Sequence, residues 1–138
     1  LFGLQKLGAH VTFAGPSTLC SGGLKSLGVE VTHHITDAIK DADVVMGLRV
    51  QLERQKGGLF PDLREYHAHF GVTEEMLSYA KPGALIMHPG PVNRGVEMTT
   101  AVIDHERSVI NEQVNSGVAV RMAVLSLINE YRTSQKKH

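Results

Sequence analysis

The sequence has no tryptophan, one cysteine and no net charge, and each shortage excludes something. With only three Tyr and four Phe there is little material for stacking nucleic-acid bases. Fourteen basic residues balance fourteen acidic ones, so no excess of charge draws the chain to nucleic acid or to an anionic membrane. A lone Cys20 excludes an internal disulfide and fits a reducing, cytoplasmic compartment, where it reads as a small core filler. No apolar run is long enough to span a bilayer, and no basic stretch precedes an apolar one as in a secretory leader. Walker and G-x-G-x-x-G loops are missing, as is a G-x-S-x-G nucleophile elbow. His33-His34 and Tyr66-His67-Ala68-His69 have spacings that put no two rings on one helix face, and no acidic or thiol cluster joins them, so no metal site is expected.

What is present is an alternation of short apolar runs and helix-length segments. The runs are His10–Ala14, Val29–His33, Asp43–Leu48 and Ala84–Met87, the last two reading as strands buried on both faces. Helices are expected over Leu1–Gly8, Ser17–Leu27, Thr36–Ala42, a short piece around Leu63–Phe70, Thr73–Ala80 and about Asn111–Arg132. Thr36 and Thr73 act as caps with acids in the first turn, and Gly8 as a stop. Val114, Val118, Met122, Leu125 and Ile128 recur at helical spacing in the last. This pattern predicts an α/β fold with a doubly wound, mostly parallel sheet. The opening helix has no strand before it and there is no initiator Met. The sheet is therefore expected to lack its first strand in this chain, which reads as a piece of a longer protein. With 138 residues there is material for one domain.

Two segments stand at strand ends. Arg49 follows the run ending at Leu48, with Gln51 two residues on. A guanidinium there is either a surface residue or a two-point clamp for a carboxylate. The stretch "IMHPGPVNRGVEM" stops a buried run against His88 and Pro89-Gly90-Pro91. Proline fixes φ and glycine admits close approach, so this turn holds backbone carbonyls in set directions. His88 reads as a base, a ligand or a structural residue packing the turn; with no acid or nucleophile evident beside it, the structural reading is the stronger. Ligands in open α/β sheets bind at the carboxyl ends of strands, so both segments are expected to line one cleft. The charged stretch from Val50 to Val72 carries Gly57-Gly58 and is long for a plain connection.

Taken together, "LRVQLER", "YHAHFGVTEE", "IMHPGPVNRGVEM" and "NSGVAVRMAVL" resemble the catalytic chain of the bacterial aspartate carbamoyltransferase family, in order and spacing, over essentially all 138 residues. The H-C-L-P of the ornithine-specific relatives does not occur. The resemblance implies a cofactor-free reaction in pyrimidine biosynthesis. In it the amine of L-aspartate attacks carbamoyl phosphate, giving N-carbamoyl-L-aspartate and phosphate. It implies that Arg49 and Gln51 bind aspartate, that Pro89, Gly90 and Pro91 present backbone atoms to the carbamoyl group and the amine, and that Val50 to Val72 closes over the site. Arg94 and Glu97 fit interdomain or turn-stabilising roles. It implies a trimeric core, with dihydroorotase or regulatory chains as further partners.

The S-T-R-T motif and other phosphate-binding residues of that family are not in these 138 residues. Residues 1–138 thus correspond to a partial aspartate-binding domain, inactive alone and requiring an N-terminal carbamoyl-phosphate domain. A different reading is a non-catalytic homologue serving as an assembly or partner-binding module; Arg49, Gln51 and Pro89–Pro91 occurring together favour the enzyme. A plain nucleotide-binding domain is disfavoured by the missing glycine fingerprint.

Overall fold

A computed structural model describes residues 1–50 and 62–135. Four short strands lie close to the four apolar runs: β1 Thr12–Ala14, β2 Glu30–Thr32, β3 Val44–Met46 and β4 Leu85–Met87. Pairing is parallel throughout, but in two separate pairs, β1 with β2 and β3 with β4. Between the pairs lies a cavity of about 170 Å³ whose walls include Thr12–Ala14 of β1 and Val44–Met46 of β3. The α/β class and parallel pairing are as expected, while among the described residues the strands form two pairs and no single continuous sheet. β4 is covered on its other edge by the segment before the last helix: Ile86 N–H donates to Arg107 O at 3.0 Å and Ile86 O accepts from Val109 N–H at 2.9 Å.

The helices are α1 Phe2–Lys6, α2 Ile35–Ile39, α3 Leu63–Phe70, α4 Glu74–Leu77, α5 Thr100–Ile103 and α6 Ile110–Gln135. α3 begins at Asp62, whose carboxylate accepts from the Arg64 and Glu65 amides at 2.7 and 2.8 Å. α4 begins at Thr73, whose hydroxyl accepts from the Met76 amide at 3.3 Å. Both caps satisfy amides that a helix start leaves without partners. The helix expected over Ser17–Leu27 is instead a turn followed by a 3₁₀ helix at Gly22–Leu27. The pair Gly22-Gly23 explains the difference, because glycine disfavours the longer α-helix. α5 has no long apolar periodicity and escaped sequence reading; Thr99 caps it, accepting from Val102 N–H at 3.3 Å.

The core joins Ile39 of α2, Val45, Ile86, Leu77 of α4, Val72, Met98, Val102 of α5 and Ile110, the first residue of α6. Burial of a side chain such as Ile86 stabilises the fold by roughly 1.5–3 kcal/mol. The strands are not buried on both faces as expected. Only Val45 and Ile86, which share one face, are buried, while Val44, Met46 and Leu85 on the other are 42–45% exposed. One face therefore meets the core, and the other has no full cover among the described residues. No helix of the described residues is long and apolar enough to cross a membrane.

Candidate functional site

β3 and β4 are in register, Met46 opposite Met87, and Gly47 N–H donates to Met87 O at 3.0 Å. The chain therefore leaves Leu48–Val50 and His88–Pro91 from the carboxyl ends of neighbouring strands. Arg49 is half-buried and lines a cavity of about 460 Å³ with Ala14, Gly15 and Pro16 at the end of β1, Leu48, and Tyr66 of α3. Its position suits a guanidinium that meets an anion entering over the strand ends. The described lining of this cavity does not include Pro89, Gly90 or Pro91, so the two segments are neighbours at the strand ends without sharing that cavity. Gln51 and the rest of 51–61, including most of the expected closing segment, lie outside the described residues.

The proline turn is anchored from beneath. Gly90 has φ +70°, a left-handed conformation open to glycine, and a Cβ there would meet Val114 Cγ2 of α6 at 3.2 Å. The Gly90–Pro91 peptide is cis. His88 is fully buried, and its Nδ1 accepts from Gly90 N–H at 2.9 Å, while its own amide donates to Gln113 Oε1 of α6 at 2.8 Å. A ring nitrogen that accepts carries no proton, which places the proton of the neutral ring on Nε2. Nε2 lies 3.2 Å from Oε1 of the buried Glu97, off the line of a good hydrogen bond. Glu97 is the acid that sequence reading did not find beside His88; eight residues of turn separate the two along the chain. Burial pushes the His88 pKa below its ordinary value, and the Glu97 carboxylate pulls it part of the way back.

Glu97 also reaches the far end of the turn, where its Oε1 accepts from Asn93 N–H at 2.7 Å. Asn93 Nδ2 donates to Val50 O at 3.3 Å, which ties the turn to the segment carrying Arg49. The Glu97 carbonyl accepts from Val72 N–H at 2.9 Å, and His67 Nδ1 donates to Val96 O at 2.9 Å. Tyr66 has its phenol pKa raised by burial and then by the charge of Glu97. Arg94 turns outward, its two terminal nitrogens meeting the Asp104 carboxylate at 3.0 and 2.9 Å on the surface. His33 is a backbone staple, its Nδ1 donating to Gly15 O at 2.8 Å. Tyr66, Asn93 and Gln113 carried no sequence signal of their own, because their partners are far away along the chain.

Comparison with known proteins bears on this site. The family model "Aspartate/ornithine carbamoyltransferase, Asp/Orn binding domain" matches residues 1–128. The chain is 61% identical over 128 residues to an aspartate carbamoyltransferase catalytic subunit of Acetivibrio thermocellus, covering 93% of this chain and 41% of that one. It is 54% identical over 132 residues to the corresponding subunit of Caldanaerobacter subterraneus subsp. tengcongensis, covering 96% and 43%. Among solved structures, ornithine carbamoyltransferase from Pyrococcus furiosus is similar with a TM-score of 0.68 at 30% identity, over 88% of this chain and 42% of that one. Aspartate transcarbamoylase from Trypanosoma cruzi, in complex with phosphate, gives 0.64 at 25% identity, over 83% and 39%. The chain thus spans about two fifths of the length of the curated relatives it matches.

Proposed function

The chain belongs to the aspartate/ornithine carbamoyltransferase family, of which it carries the Asp/Orn-binding domain, and on that premise we propose that it supplies the aspartate site of an aspartate carbamoyltransferase. The complete enzyme would be cytoplasmic, act in pyrimidine biosynthesis and have a trimeric core. Its N-terminal domain, in the part of the relatives beyond the matched span, would hold carbamoyl phosphate. Dihydroorotase or regulatory chains are further partners in this reading. Residues 1–138 then make up most of the aspartate half.

In this reaction the amine nitrogen of aspartate attacks the carbamoyl carbon. The C–N bond forms, the bond from carbon to the phosphate oxygen breaks in a tetrahedral intermediate, and the amine proton leaves with the phosphate or with solvent. No protein nucleophile and no cofactor is required, because the substrate provides the nucleophile. The residues here would act by orientation. Arg49, with Gln51, would clamp an aspartate carboxylate, and the carbonyls of Pro89–Pro91 would accept from carbamoyl and amine N–H groups. Fixed dipoles of this kind lower a barrier by positioning and preorganised electrostatics.

The observation that carries this reading is the placement of Arg49 and the proline turn at the ends of adjacent, in-register strands, with Arg49 over a cavity large enough for a small amino acid. The choice of aspartate over ornithine rests on relatives named for aspartate at 54–61% identity. The test is product formation by the complete chain, offered carbamoyl phosphate with either L-aspartate or L-ornithine. Carbamoyl-aspartate alone is expected, and none from residues 1–138 by themselves. Citrulline as the main product would overturn the substrate assignment.

A further inference from the structure

We propose that His88 and Glu97 are positioning residues that aim the carbonyls of the proline turn, fixing Pro89 O and Val92 O toward the side from which substrate approaches. The inference rests on the functional reading above and adds to it two buried residues that touch no substrate.

The peptide group is planar. In a trans peptide the N–H and the preceding C=O point in opposite directions. The cis bond lies between Gly90 and Pro91, so the Pro89–Gly90 unit is trans. Its N–H is held inward by His88 Nδ1 at 2.9 Å, which turns Pro89 O away from the buried side. The same holds at the other end of the turn: Asn93 N–H is held inward by Glu97 Oε1 at 2.7 Å, which turns Val92 O away. Between these points Pro91 can donate nothing, so no competing N–H pulls the backbone around.

The two anchors are one unit. His88 Nε2 and Glu97 Oε1 are 3.2 Å apart, and both side chains are at most 3% exposed. If the ring moved, Gly90 N–H and the Glu97 carboxylate would be disturbed together. The unit is also braced from outside: Gln113 of α6 holds the His88 amide, and Val72 N–H holds the Glu97 carbonyl at 2.9 Å. Gly47 closes the remaining side, since a Cβ on it would meet His88 Cδ2 at 3.0 Å and Met98 Cε at 2.7 Å. A histidine serving only as packing would not need the directed bond from Gly90 N–H to its Nδ1.

Two replacements of His88 separate aiming from packing. His88→Asn retains an acceptor in the position of Nδ1, one bond beyond Cγ, but is smaller. His88→Leu approximates the bulk and has no acceptor. In the complete chain His88→Leu is expected to lower kcat about ten- to a hundredfold, with KM for aspartate changed by less than about threefold, because a misaimed dipole is felt mainly in the transition state. His88→Asn should restore kcat to within about tenfold of the wild type. Thermal unfolding of both variants shows whether they fold. Should His88→Leu fail to fold, Glu97→Gln against Glu97→Leu reads the same order, since only Gln keeps an acceptor for Asn93 N–H. Leu equal to or better than Asn at position 88, an effect confined to KM, or Leu equal to Gln at position 97 would each overturn the aiming role while leaving the aspartate site intact. A wild-type chain that forms no carbamoyl-aspartate would overturn the functional reading and this inference with it.

Discussion

Arg49 shows what one residue at a strand end can and cannot reveal. Its place at the carboxyl end of a strand was legible, while the choice between a surface arginine and a carboxylate clamp stayed open. Its surroundings were not legible, because the cavity wall comes from the end of β1 and from Tyr66, both distant in sequence. If Arg49 clamps a carboxylate, Arg49→Lys keeps the charge and loses the planar fork. A charge-assisted pair in a partly closed site is worth on the order of 1.5–3 kcal/mol, so kcat/KM for aspartate is expected to fall about ten- to a hundredfold. Direct titration of carbamoyl phosphate into the same variant should give nearly the wild-type affinity. A loss confined to carbamoyl phosphate would assign Arg49 to the other substrate. For His88 the residue type was informative and the partner was hidden. Gly90 N–H lies two residues away and could be guessed, whereas Glu97 is brought back by a turn whose shape the sequence does not spell out.

Among the elements, strand existence was easier to read than strand burial. Short apolar runs located all four strands, but whether a run is covered on both faces depends on neighbours it does not encode. α3 was legible in both length and position, and its far end shows how an element is fixed. Gly71 follows Phe70, and a Cβ there would press on the His67 carbonyl oxygen at 2.6 Å and on the His67 ring. That ring is the one bonded to Val96 O, beside Glu97. Gly71→Ala is therefore expected to destabilise the complete chain by about 1–3 kcal/mol in urea unfolding, the usual cost of overpacking. Gly83→Ala is the control. No atom lies within 4 Å of that Cβ and φ is outside the left-handed range, so the change should be neutral or stabilise by up to about 1 kcal/mol. Equal effects at the two positions would mean that Gly71 is not held by its neighbours.

The whole molecule presents more apolar surface than its core accounts for. α6 is 26 residues long and buries only Ile110, while Met122, Leu125, Leu127 and Tyr131 are each more than 60% exposed. Phe2 and Leu7 of the first turns are 65% and 84% exposed, and among the described residues no strand pairs with the free edges of β1 and β3. Exposed apolar faces and open strand edges mark surfaces that other parts of a protein cover. The relatives continue for more than half their length beyond the matched span, which is ample chain to supply a strand and a packing partner for α6. Residues 1–138 expressed alone are thus expected to bind an apolar dye, scatter light at micromolar concentration and unfold with a broad transition. Joined to or co-expressed with the remaining part, they should lose dye binding and unfold cooperatively at higher temperature. The decisive comparison is hydrogen exchange at Ala14 and Met46, whose amides point to the strand edges not used by β2 and β4. Protection there should rise when the remaining part is present, because a strand entering between β1 and β3 would bond to both. Unchanged exchange at both amides, with cooperative unfolding of residues 1–138 alone, would show that the two strand pairs are already complete and that the gap between them is a cavity of the finished fold.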